Sequence, residues 1–175
     1  MNWKWHLLYL VVAPLSFAMH EGAHWLAGTL LGYEMEAGIN HVRLISGEYT
    51  SVLHENIVSG AGPAVTAAQA VIAYLFVVAR QSRLAFVFLF TALAMRLLAF
   101  GVSFANLNDE ARISLSLGWP WQLLPAIVVT ALLAMTLIAS YRLRLGWRSW
   151  AASYVAISIA IAAIVFGEAF LPTLS

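Results

Sequence analysis

The stretch FAMHEGAHWLAG, Phe17 to Gly28, sets two histidines and a glutamate inside an apolar run. Between Leu7 and Leu31, His20, Glu21 and His24 are the only Asp, Glu, His, Lys or Arg residues. A helix through this run is long enough to span a bilayer, which takes about 20 largely apolar residues. The three polar side chains then fall near its centre. An ionisable group there costs on the order of 2.5–3.5 kcal/mol on insertion scales, and such groups mark a functional site or path.

The spacing specifies the chemistry. His20 and His24 are one helical turn apart and lie on one face, roughly 40° apart around the axis, so both imidazoles can reach one metal ion. Glu21 follows the first histidine and stands beside that ion without ligating it. In the HExxH arrangement this carboxylate takes a proton from water activated by the metal.

Working outward, the chain is 62% hydrophobic and 10% charged with a mean hydropathy of +0.85, far more apolar than a soluble domain. The expected fold class is an all-α polytopic membrane protein, residues 1–175 forming a single transmembrane domain. About five helices, at 7–31, 57–79, 84–104, 121–140 and 150–171, are expected to cross the bilayer. The first run is too long and too polar at its centre for a cleavable signal peptide, and is expected to remain as the first span. The absence of cysteine excludes thiolate metal sites.

If the spans alternate, Lys4, Arg80, Arg83, Arg142, Arg144 and Arg148 share one side. Arg43 and Arg112 share the other with Glu34, Glu36, Glu48, Glu55, Asp109 and Glu110. The positive-inside rule then puts the N-terminus in the cytoplasm and the longer connections, 32–56 and 105–120, outside. Trp3, Trp5 and His6 are expected at the interface, and Glu168 near the last interface, exposed.

Within the first connection, His41 to Ile45 and Glu48 to Leu53 are rich in strand-forming residues and flank Ser46-Gly47, predicting a short β-hairpin between helices one and two. The second span opens with SGAGPAVTAAQA, in which Pro63 suits a first helical turn and the small residues permit close helix packing. In the second connection, Asn106, Asn108, Asp109 and Glu110 follow the third span, a pattern typical of a turn or cap.

A catalytic zinc takes three protein ligands and keeps a position open. The candidates for the third are Asp109, Glu110, His54, Glu55 and His41. Asp109 is preferred, and reaches the histidines only if its segment dips back toward the first span. Arg96, mid-way along the third span, needs an acidic or carbonyl partner. A structural ion pair is the simpler role, a stabiliser of developing negative charge the other.

MHEGAHWLAG in a first span, AGPAVT in the second and Asn106-Leu107-Asn108-Asp109 after the third together resemble the site-2 protease family of intramembrane zinc metalloproteases. The resemblance covers about the first two-thirds of the chain, as a minimal or divergent member. It implies that His20, His24 and Asp109 hold Zn2+, that Glu21 is the general base, and that Gly62 and Pro63 mark a supporting helix. Asn106, Asn108 and Arg96 are candidate supporting or substrate-binding residues, and His54 and Glu110 alternative ligands. Thr66 stands where that family's Gly-Pro motif has asparagine, and Asn108-Asp109-Glu110 replaces its Leu-Asp-Gly.

The expected activity is zinc metallopeptidase hydrolysis of membrane-embedded protein segments. The partners are then a membrane-protein substrate and the lipid bilayer, with no nucleic acid. The alternatives are a non-proteolytic metal-binding adaptor or chaperone, against which Glu21 argues, and an intramembrane zinc hydrolase acting on a lipid. A transporter is disfavoured by the absence of an inverted repeat, and haem binding because both histidines lie on one helix.

Overall fold

Side-chain caps decide where several helices begin. Ser51, in an extended conformation, accepts a hydrogen bond from the His54 amide at 3.2 Å; Ser82 and Asn108 do the same for the amides of Ala85 (3.1 Å) and Ala111 (2.8 Å). Each satisfies an amide that the first helical turn leaves without a partner. The computed structural model describes residues 3–167. In chain order the elements are α1 (Trp3–Leu7), α2 (Tyr9–Leu30), β1 (Met35–Ala37), β2 (Val42–Leu44), α3 (Val52–Arg80), α4 (Arg83–Val102), α5 (Asp109–Ser116), α6 (Leu123–Arg142) and α7 (Trp147–Gly167).

The fold is mostly helical, with one two-stranded antiparallel sheet. Four helices, α3, α4, α6 and α7, are long and apolar enough to cross a membrane. They correspond to the second to fifth expected spans. The first expected span, 7–31, is the 22-residue helix α2, whose apolar run is interrupted by His20, Glu21 and His24. Glu168 and the end of the fifth expected span lie outside the described residues.

Helix α3 starts five residues before the expected 57, because the Ser51 cap draws Val52 and Leu53 into its first turn. Two expectations are corrected by this. Pro63 is interior to α3 rather than in its first turn, and 48–53 is not a strand. The hairpin is real but shifted: β2 pairs with β1 in the register Met35–Leu44, Glu36–Arg43 and Ala37–Val42, and the chain reverses through residues 38–41. Arg43 clasps Glu36 across the pair, Nη2 to Oε2 at 2.8 Å. Ser46-Gly47 forms the bend leading away from β2, with Gly47 at φ +76°.

Helix α3 packs most extensively on α2 and on α4; α6 packs on α4, and α7 on α2. Tyr9, Val12, Ala70, Ala73, Phe86, Leu89 and Ile157 are buried where these helices meet. The alanines of α3 allow the close approach that membrane helices use for packing. The short helix α5 folds back onto α3 and α6, burying Glu110, Ala111 and Ser114. The hairpin is anchored by Met35, 3% exposed and seated against Gly28 of α2. A Cβ on Gly28 would lie 2.5 Å from the Met35 sulfur, whereas one on Gly22 meets nothing within 4 Å.

Gly28→Ala should therefore lower the melting temperature of the detergent-solubilised protein. Gly22→Ala should leave it unchanged or raise it, as removing a helical glycine gains up to about 1 kcal/mol.

Candidate metal centre

Three helices build the centre: α2 carries the histidines, α3 orients them and α5 brings Asp109. On α2, His20 and His24 are 4% and 6% exposed and face α3. The hydroxyl of Thr66 donates to the Gly62 carbonyl at 3.1 Å, so its oxygen is left to accept from His20 Nδ1–H at 3.0 Å. His24 Nδ1 lies 2.6 Å from the Val58 carbonyl, to which it must donate. Both rings thus carry their proton on Nδ1, an assignment that follows from the hydrogen-bond network. Each then presents a bare Nε2 lone pair.

Those lone pairs converge. The two Nε2 atoms are 3.2 Å apart, and Asp109 Oδ2, at the start of α5, is 3.3 Å from one and 3.4 Å from the other. Among the described residues, His20, His24 and Asp109 form the group able to hold a metal ion. The donor set fits zinc: ligand atoms about 2.0–2.1 Å from a tetrahedral ion stand roughly 3.3 Å from one another. Two neutral imidazoles and a carboxylate are also ligands that zinc accepts.

The other predicted residues fall into place around this core. Glu21 is 8% exposed and lines the same cavity of about 550 Å³, as do Asn106 and Asn108. Asn108 is also the α5 cap. Gly62 faces the two imidazoles: a Cβ there would fall on His24 Nε2 and 2.6 Å from His20 Cε1. Pro63 follows in the same helix. Arg96 reaches across from α4 and pairs with Glu110 at 3.0 Å, its Nη2 3.3 Å from His20 Nε2.

The alternative ligands are committed elsewhere. Glu110 is bound by Arg96, and His54, in the first turn of α3, pairs at 2.9 Å with the hydroxyl of Tyr33 in the preceding connection. His41 and Glu55 line the cavity but lie outside the metal-holding group.

Three contributors had not been expected. The Val58 carbonyl has no side-chain signature at all. Thr66 stands in a run of small residues, where a hydroxyl gives no local sign that it faces an imidazole 46 positions away. Arg112 holds the second Asp109 oxygen at 2.8 Å, leaving Oδ2 to face the histidines. Its spacing of three residues along α5 is a sequence signal for such a pair.

Compared with protein-family models, curated proteins and solved structures, the chain has no match in any of the three.

Groups that orient a metal ligand typically contribute 10- to 100-fold in metal affinity. With zinc as the probe metal, Thr66→Val is expected to weaken binding by about that factor while the helices remain folded. Gly62→Ala should displace both rings and cost more. Competition titration with a chromogenic chelator, alongside circular dichroism, measures both.

Proposed function

We propose that this chain is an intramembrane zinc metallopeptidase of the site-2 protease type, hydrolysing peptide bonds of membrane-embedded protein segments. The observation that carries it is the convergence of three lone-pair donors, His20 Nε2, His24 Nε2 and Asp109 Oδ2, beside Glu21 in one cavity. A purely structural metal site has no use for that fourth group.

In this reading α2 crosses the bilayer with α3, α4, α6 and α7, giving five spans. The basic residues at the α3–α4 and α6–α7 junctions put the N-terminus in the cytoplasm. His20, His24 and Asp109 hold the ion, which when bound supplies Lewis acidity toward a carbonyl oxygen and makes water acidic. Glu21 accepts the proton of the attacking water and delivers it to the nitrogen of the leaving amine. Thr66 and the Val58 carbonyl keep the imidazoles in the ligating tautomer throughout.

A helical substrate hides its peptide bonds and must enter partly unwound. Strand β2 supports such a binding mode, because Val42, Arg43 and Leu44 line the metal cavity and β2 has a single strand partner among the described residues. Its other edge can pair with an extended segment, main chain to main chain.

One observation favours a second reading, hydrolysis of a lipid amide or ester. An apolar groove of about 820 Å³ between α4 and α7 shares Leu98 and Val165 with the metal cavity. An acyl chain lying there would have its head near the ion.

The test compares wild type with His20→Ala, Asp109→Ala and Glu21→Gln after purification in detergent. Zinc near one equivalent should be lost in the first two variants and kept in the third. Reconstituted with a panel of single-span proteins, wild type should cleave and Glu21→Gln should fall by at least about 100-fold. A folded wild type without metal, or full turnover by Glu21→Gln, would refute the proposal. Turnover of lipid amides with no peptide cleavage would select the second reading.

A further inference from the structure

One wall of the metal cavity is a guanidinium that none of the steps above employs. Arg96 is 5% exposed on α4. Its Nη1 donates to Glu110 Oε1 at 3.0 Å and stands 3.9 Å from Asp109 Oδ2, while Nη2 lies 3.3 Å from His20 Nε2. Glu110 is 2% exposed. Arg96 Nε and Glu110 Oε2 have no hydrogen-bond partner among the described residues.

As a mere staple between α4 and α5 this pair is a poor solution. A buried ion pair is often replaced by apolar residues at no loss of stability. A cation this close to a metal ligand also opposes the binding of a dication. The placement makes sense if negative charge develops in the cavity.

His20 Nε2 has one lone pair. When that lone pair serves an ion, the Nη2 hydrogen loses its acceptor, yet Glu110 still holds the guanidinium by Nη1. The result is a buried, pre-anchored donor at the edge of the cavity, beside the ligand cluster. Such a donor is worth far more than its counterpart in water, because no reorganisation is needed as charge appears.

We infer that Arg96, held by Glu110, is the oxyanion donor of this site, binding the scissile carbonyl oxygen as it becomes negative. The inference rests on the hydrolase reading above. As the water oxygen bonds to the carbonyl carbon, the C=O π pair moves onto oxygen, and Arg96 Nη2–H donates a hydrogen bond to it without giving up its proton. Return of that pair breaks the C–N bond, and the amine departs with the proton brought by Glu21. Arg96 is then a catalytic residue and Glu110 a positioning residue that acts through it.

The experiment uses zinc-loaded wild type, Arg96→Gln, Arg96→Lys and Glu110→Gln, and two ligands built on one peptide. A phosphinate carries a charged tetrahedral centre like the carbonyl under attack; a hydroxamate is a flat metal chelator. Zinc content, melting temperature and both dissociation constants are measured. Both Arg96 variants should keep zinc and lose about 100-fold in phosphinate affinity, with hydroxamate affinity little changed. Glu110→Gln should show a smaller loss of the same kind. Where a cleavable substrate is in hand, kcat should fall with KM unchanged.

Equal loss of both ligands, or no loss of either, would overturn the inference alone. So would loss of zinc or of folding in both Arg96 variants, which would make the pair structural. A zinc-loaded wild type that binds neither ligand would overturn the hydrolase reading, and the inference with it.

Discussion

The structure depends on the attachment of two imidazoles to the helix opposite. His20 Nδ1 is bound to Thr66 at 3.0 Å and His24 Nδ1 to the Val58 carbonyl at 2.6 Å. These bonds fix the rotation and rise of α2 against α3, the most extensive helix contact in the fold. In an apolar setting an unpaired imidazole N–H costs more than it does in water. The two helices are therefore locked in one register, and the register decides which ring atoms face inward. Metal-binding geometry is a consequence of helix packing here.

Close approach makes the lock possible. Gly62 leaves space for both rings where any side chain would strike them, and α5 rests on the same helix near Gly60, whose own Cβ would lie 3.6 Å from Ile113. Small residues on α3 thus serve two neighbours, α2 with the histidines and α5 with Asp109. The carboxylate arrives from a segment distant in sequence because α5 packs between its neighbours, resting on α3 and α6 and holding Arg96 of α4 through the buried Glu110. Packing of α5 and completion of the ligand set are one event.

What the sequence revealed follows from the range of each interaction. His20, Glu21 and His24 were legible because one turn of helix fixes their relation, and the apolar run around them made their presence costly. All five expected helices are present among the described residues, four of them long and apolar enough to cross a membrane, with α3 begun early by Ser51. The hairpin lies one strand earlier than local pattern suggests, since Glu48 to Leu53 look strand-forming locally while the Ser51 cap commits Val52 and Leu53 to α3. Asp109 was favoured on position, but its approach to the histidines rests on tertiary packing that no local pattern encodes. Arg96 was expected to have an acidic partner, and the choice of Glu110 over Asp109 is decided by sub-ångström differences across two helices.

The bond from His24 to Val58 differs in kind from the bond that Thr66 makes. Its acceptor is main chain, so every residue type at position 58 provides the same oxygen. Substitution there can change the bulk of the side chain but cannot delete the contact. A scan that replaced residues singly would find Thr66 and pass over Val58, although the two orient equivalent ligands. Half of the scaffolding of this centre is thereby hidden from genetic comparison, and it is kept by whatever holds the α3 backbone in its path, with Pro63 and Gly62 in the adjoining turn.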